Sequence, residues 1–274
     1  MTSELGLGTY SFFWEGARAL PDGSTAEPLP LVGMLERTAQ LGLGLFQICD
    51  YAPLLGFSAT ELREVRSRAD ELGIRLELGT KGVGPQHLHS FLEFAEVLGA
   101  RYVRSMVFAP GSRPTLVEAE RMLRETLPAF EAAGVRLGLE TYEQVSSRDL
   151  VGLVESIGSD ALGICLDPAN TVAALENPRE VVERCAPHVN GIHVKDFAFS
   201  RRDGWVGFTL AGARMGEGLL DYAHLVETVR PAERDITRIV EHWLPWQGDL
   251  HSTVELERNW TSHNVRYLKE NPTS

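Results

Sequence analysis

Cysteine is scarce in this sequence, and basic charge falls short of acidic charge. Only three cysteines occur, Cys49, Cys165 and Cys185, with no CxxC pair among them. A disulfide scaffold is excluded, and a reducing, cytoplasmic setting is expected. The 26 lysines and arginines are outnumbered by 38 aspartates and glutamates, giving a formal net charge of −12. That balance repels phosphate backbones, so no nucleic-acid partner is expected. Apolar runs are too short for an α-helical membrane span, so no membrane partner is expected either. The opening MTSELGLGTYSFFW lacks a charged start followed by a long apolar run and does not read as a signal peptide. A glycine-rich dinucleotide turn is missing as well. Gly6 and Gly8 fall inside the first apolar run, and no GxGxxG opens a helix, which disfavours an open doubly wound sheet.

What is present is an alternation. The 274 residues are 43% apolar and 23% charged, an ordinary globular mixture. A chain of this length buries roughly three quarters of its unfolded surface in one core. Short apolar runs predict strands at 5–10, 45–49, 74–79, 102–107, 135–140, 162–167, 189–195 and 236–241. Amphipathic stretches between them predict helices, one starting at Ser58 as N-cap and another following Pro114. A long Gly-rich segment at 197–218 interrupts the pattern after the seventh strand. Eight strand–helix units imply a parallel sheet closed into a single (β/α)8 TIM barrel over residues 1–274.

Barrel active sites form at the C-terminal ends of the strands. Here the fifth strand ends in Glu140, the sixth in Asp167 and the eighth in Glu241, while the seventh carries His193. Strand alternation sets Leu137 and Leu139 opposite Gly138 and Glu140, Ile164 and Leu166 opposite Cys165 and Asp167, and Ile192 and Val194 opposite His193 and Lys195. With the larger apolar sets facing the helices, the polar ends converge on the barrel mouth. Three carboxylates and one imidazole form an oxygen-rich set suited to Mn²⁺, Mg²⁺ or Co²⁺ and tolerant of Zn²⁺. Without a cation such a cluster repels itself.

The segments GLGTYSFFW at 6–14, LFQICDYAPL at 45–54, LELGTKG at 76–82, LGLE at 137–140, LGICLDPAN at 162–170, GIHVKD at 191–196, GEG at 216–218 and IVEHW at 239–243 together resemble the xylose isomerase-like barrel superfamily, specifically its sugar phosphate isomerase/epimerase group. The resemblance implies one divalent metal ion held by Glu140, Asp167, His193 and Glu241. It also implies that Glu140 and Glu241 are catalytic, exchanging protons with a bound keto-sugar through an ene-diolate. Relatives often follow the first glutamate with Asn-His, where this chain has Thr141-Tyr142, and some place histidine where Asn170 stands. The histidines that hold three zinc ions in the superfamily's repair nucleases are absent from the second and third strand ends, which argues against a trinuclear nuclease.

Substrate contacts are expected from Lys195, Arg214, Asn170, Trp14 and Lys81, with Trp243 as a second aromatic wall and Asp50 beside Lys81. Glu77 and Arg104 share the interior parity of adjacent strands and are expected to pair with each other. The sequence favours a metal-dependent isomerase or epimerase of a keto-sugar. The alternative is a lyase on a related sugar, a dehydratase, decarboxylase or 3-keto-glycoside eliminating enzyme, because all share the same ene-diolate. An endonuclease-like hydrolase and a non-catalytic sugar-binding barrel rank below these. Related barrels pair, so a homodimer is expected.

Overall fold

A computed structural model describes residues 3–272. Eight parallel strands close into a barrel in the order β1-β10-β7-β6-β5-β4-β3-β2. The strands are β1 (Leu5–Gly8), β2 (Leu45–Cys49), β3 (Arg75–Gly79), β4 (Tyr102–Ser105), β5 (Arg136–Glu140), β6 (Leu162–Leu166), β7 (Val189–Val194) and β10 (Arg238–Val240). Between β7 and β10 lie β8 (Asp196–Arg201) and β9 (Phe208–Ala213), an antiparallel hairpin outside the barrel. Around the strands run α1 (Leu31–Gln40), α2 (Ala59–Glu71), α3 (Pro85–Leu98), α4 (Leu116–Ala133), α5 (Ser147–Ile157), the single turn α6 (Pro168–Thr171), α7 (Pro178–Cys185), α8 (Tyr222–Val229) and α9 (Leu250–Glu270). Among the described residues, no helix is long and apolar enough to cross a membrane.

Local chemistry explains the helix starts. Ser58 accepts from the Glu61 N–H while Glu61 reaches back to the Ser58 N–H, and Thr115 and Glu118 repeat this box at α4. Each box satisfies two otherwise orphaned donors and contributes about 1 kcal/mol. The main core lies between strands and helices, where Leu137, Leu139, Ile164 and Leu166 meet Leu123, Phe130 and Leu150. The opposite strand faces fill the barrel with polar side chains, Gln47, Glu77, Tyr102 and Arg104 among them, all buried. Glycine makes room for them. A Cβ on Gly138 or Gly191 would collide with the Tyr102 hydroxyl.

Two expectations are corrected. The segment 197–218 is not a plain loop, because the alternating FAFS and FTLA pair across a turn at 203–207. Arg104 does not pair with Glu77; it reaches up to Asp50 and Glu140, while Glu77 faces Gln47 and Arg75.

Candidate metal centre

The last residues of β5 and β10's end bring two glutamates to one point. β6 delivers Asp167, and β7 delivers His193. One ligand atom from each of Glu140, Asp167, His193 and Glu241 lies within 4.8 Å of the others, and all four are buried. The short helix α6 fixes Asp167, whose Oδ1 accepts from the N–H groups of Ala169 (3.0 Å) and Asn170 (3.3 Å). Thr141, at the departure from the superfamily pattern, ties β5 to β6: its hydroxyl donates to the Asp167 carbonyl (2.9 Å) and accepts from the Asp167 N–H (2.8 Å).

His193 Nδ1 stands 3.0 Å from Glu140 Oε1 and 3.3 Å from Glu241 Oε1. Its Nε2–H donates to Gln47 Oε1 at 2.8 Å. Nδ1 is therefore the nitrogen turned toward the carboxylates. Glu241 Oε1 is buried and makes no hydrogen bond, while Glu140 Oε2 and Asp167 Oδ2 face Arg104 and Lys195. An imidazole nitrogen and three carboxylates whose oxygens keep free lone pairs make a donor set that fits one divalent ion.

Two buried cations partly neutralise the cluster. Arg104 contacts Glu140 directly and lies 3.3 Å from Asp50. Lys195 Nζ bridges Asp167 Oδ2 (2.9 Å) and Glu241 Oε2 (3.1 Å) and sits 4.4 Å from the centre of the Trp243 ring. Each carboxylate oxygen has two lone pairs, so an ammonium on one side leaves the other for a metal. Burial alone would raise the Glu140 pKa, but the Arg104 guanidinium and His193 hold it down at about 2. Asp167 moves up, because burial outweighs Lys195. Burial disfavours a charged His193, yet neighbouring Cys165, Glu241 and Glu140 lift its pKa well above the ordinary value. Lys195 is likewise raised, its burial overcome by Asp167, Glu241 and Glu140.

The other predicted contacts divide. Asn170 joins the centre, its amide donating to Glu140 Oε1 at 3.1 Å. Lys81 stands 3.0 Å from Asp50, which also accepts from the Tyr10 hydroxyl at 2.9 Å. Both border a cavity of about 520 Å³ between β2, β3 and β4. Arg214 does not reach the mouth cluster. Its guanidinium forks onto Glu217, 2.9 Å from Nε, so loop charge already satisfies it. Trp14 is tied by its indole N–H to the Leu244 carbonyl (2.8 Å). Phe13, not Trp14, lines the cavity of about 390 Å³ formed with Tyr10, Leu210, Ala211, His242 and Trp243. Cys165 is buried, and burial pushes its thiol pKa up, as befits an inert thiol.

Sequence reasoning missed Gln47, the hairpin that roofs this cavity, and His242. His242 is buried with no hydrogen bond at either ring nitrogen. Burial and then Lys195 hold its pKa at about 4. Strand alternation does not place it, because β10 ends at Val240 and the two-residue period no longer applies.

The family model for the xylose isomerase-like TIM barrel matches residues 35–270. A 3-oxo-isoapionate decarboxylase of Pectobacterium atrosepticum is 52% identical over 264 residues, covering 96% of this chain and 94% of that protein. A crystal structure of D-psicose 3-epimerase in the presence of D-fructose superposes with a TM-score of 0.70 at 14% identity, covering 96% of both chains. A xylose isomerase-like barrel protein of Mycobacterium smegmatis in complex with magnesium gives 0.67 at 17% identity, covering 97% of this chain and 98% of that one.

Proposed function

The chain belongs to the xylose isomerase-like TIM barrel family, and from that premise we propose that it is a divalent-metal-dependent decarboxylase of a 3-oxo sugar acid. The observation that carries this reading is the 52% identity to a 3-oxo-isoapionate decarboxylase across nearly all of both chains. It favours the lyase alternative over the isomerase or epimerase reading, since the likeness to the psicose epimerase, at 14% identity, speaks for fold alone.

The chemistry of the centre agrees with this. Three carboxylates against Lys195 and Arg104 leave one negative charge, and a divalent ion would turn the centre positive, which suits an anionic substrate. Glu140, Asp167, His193 and Glu241 would hold the ion. When bound, it supplies positive charge that polarises the oxo group. In a 3-oxo acid the bond between the carboxyl carbon and C2 breaks. Carbon dioxide leaves, and the electron pair becomes the double bond of an enolate whose charge rests on the former oxo oxygen. Lys195 places a second positive charge beside that oxygen. Glu140 is engaged by Arg104, Asn170 and His193, so it serves as a fixed ligand. Glu241, whose Oε1 carries no hydrogen bond, returns a proton taken from solvent to C2. The walls of Phe13, Leu210, Ala211 and Trp243 keep the departing carboxylate away from water. His242 offers a neutral ring nitrogen to a substrate hydroxyl.

The test is to incubate the protein with Mn²⁺, Mg²⁺ or Co²⁺ and a panel of 3-oxo sugar acids and keto-sugars, and to follow released carbon dioxide and product mass. Metal-dependent loss of carbon dioxide from an oxo acid supports the reading. Conversion of a keto-sugar into an isomer of equal mass, with the oxo acids untouched, overturns it.

A further inference from the structure

We propose that Gln47 and Glu77 are positioning residues that fix which nitrogen of His193 is presented to the metal. This rests on the metal-dependent reading above. An imidazole can ligate only through its unprotonated nitrogen, so a metal site must choose one tautomer. Here Nε2 of His193 faces Gln47 Oε1 at 2.8 Å. An oxygen there can only accept, so the proton stays on Nε2 and Nδ1 is left for the ion.

A glutamine amide could turn over and present its NH2 instead. Glu77 prevents this. It stands directly opposite Gln47 in the β2–β3 register, and its Oε2 accepts from the Gln47 amide nitrogen at 3.3 Å. Burial raises the Glu77 pKa, and Arg75, 3.8 Å from the other Glu77 oxygen, opposes that rise and favours the acceptor form. With the amide reversed, an oxygen would face the Glu77 carboxylate. Gln47, Glu77 and His193 all have 0% exposure, so no bulk water would relieve that clash.

The relay spans the barrel. The four ligands come from the contiguous arc β5, β6, β7 and β10, whereas Gln47 and Glu77 come from β2 and β3. Among the described hydrogen bonds and ion pairs, Gln47 meets the cluster at His193 Nε2 and Glu77 meets Gln47, so their effect passes through His193.

The experiment titrates metal-free protein with Co²⁺ and follows its visible absorption. Circular dichroism checks that each variant is folded. Gln47→Leu removes the acceptor and is expected to weaken Co²⁺ binding about 10–100-fold. The exchange Gln47→Glu with Glu77→Gln keeps an acceptor on His193 Nε2 and reverses the 47–77 hydrogen bond, residue 77 now donating to residue 47, and is expected to stay within about threefold of the parent. Unweakened binding by Gln47→Leu overturns the relay, as does an exchange variant as weak as Gln47→Leu. Should Gln47→Leu fail to fold, ¹⁵N-histidine spectra of the Zn²⁺-loaded parent decide. A proton on Nε2 of His193 upholds the proposal, and a proton on Nδ1 overturns it. A parent chain that binds no Co²⁺ brings down the metal-dependent reading, whereas a parent that binds tightly beside an insensitive Gln47→Leu brings down the relay alone.

Discussion

The two arcs of the barrel mouth are built from the same strand–helix unit and carry opposite chemistry. The ends of β5, β6, β7 and β10 gather three carboxylates and an imidazole. The ends of β2, β3 and β4 gather the groups that answer them: Gln47 on His193, Arg104 on Glu140, and Asp50 with Lys81 behind Arg104. One arc would be electrostatically unstable alone, and the other would have nothing to orient. A buried carboxylate outside both arcs makes the contrast plainer. Glu140, beside a guanidinium, is held down at about 2. Glu257 on α9 is also buried, but it is held by backbone N–H groups, those of Trp14 (2.8 Å) and Glu15 (3.1 Å) among them, and burial pushes it up to about 7. Counter-charge outweighs burial at Glu140, whereas burial wins at Glu257 and at Asp167.

The comparison can be broken from either side. Removing a ligand from the first arc has the largest effect. Asp167→Asn or Glu140→Gln is expected to abolish stoichiometric metal binding and lower turnover by at least about 10²-fold, above the range for orienting partners; equilibrium dialysis and product analysis check it. Lys195→Met comes next. It removes the ammonium from Asp167 and Glu241 and is expected to lower kcat by about 10²–10³-fold. Steady-state kinetics that showed only a raised KM would assign Lys195 to binding instead.

Arg104→Met tests the second arc. Uncompensated, Glu140 in the metal-free protein is expected to destabilise the fold by about 3–5 kcal/mol near neutral pH. The pH dependence has a definite sign. Glu140's folded pKa lies below its ordinary 4.5, so its contribution is present above that value and is lost as pH falls toward about 2. Urea unfolding across that window measures the loss; Arg104→Met leaves burial to raise Glu140, so the variant is expected to lose this dependence and to gain stability as pH falls. Glu257→Gln has the smallest effect. Glu257's folded pKa is raised from 4.5 to about 7, so the parent loses stability as pH rises through that interval. The variant is expected to flatten that slope, and thermal melts at closely spaced pH values would reveal it.

Much of the first arc was legible in the sequence. Its ligands stand at or beside strand ends, where the two-residue period assigns faces, and the apolar partners Leu137, Leu139, Ile164 and Leu166 pack as that period requires. The second arc was harder to read. Gln47 looks like a polar interruption in LFQIC, because the group it serves lies across the barrel, 146 residues away. Glu77 and Arg104 have the predicted interior parity, yet parity gives a face and not a height. Arg104 sits close enough to the mouth to prefer Glu140 and Asp50. His242 and the 196–213 hairpin escaped because the chain leaves the barrel period there. Arg214 and Trp14 were placed by residue type alone, and Glu217 and the Leu244 carbonyl satisfy them locally.

The central claim is that the first arc is a single-metal site. Crystals grown in saturating Mn²⁺ and inspected for anomalous scattering at the barrel mouth test it most directly. One ion is expected, with Glu140, Asp167, His193 through Nδ1, and Glu241 each about 2.0–2.4 Å away. An ion-free mouth, with the carboxylates paired only to Lys195 and Arg104, would contradict it.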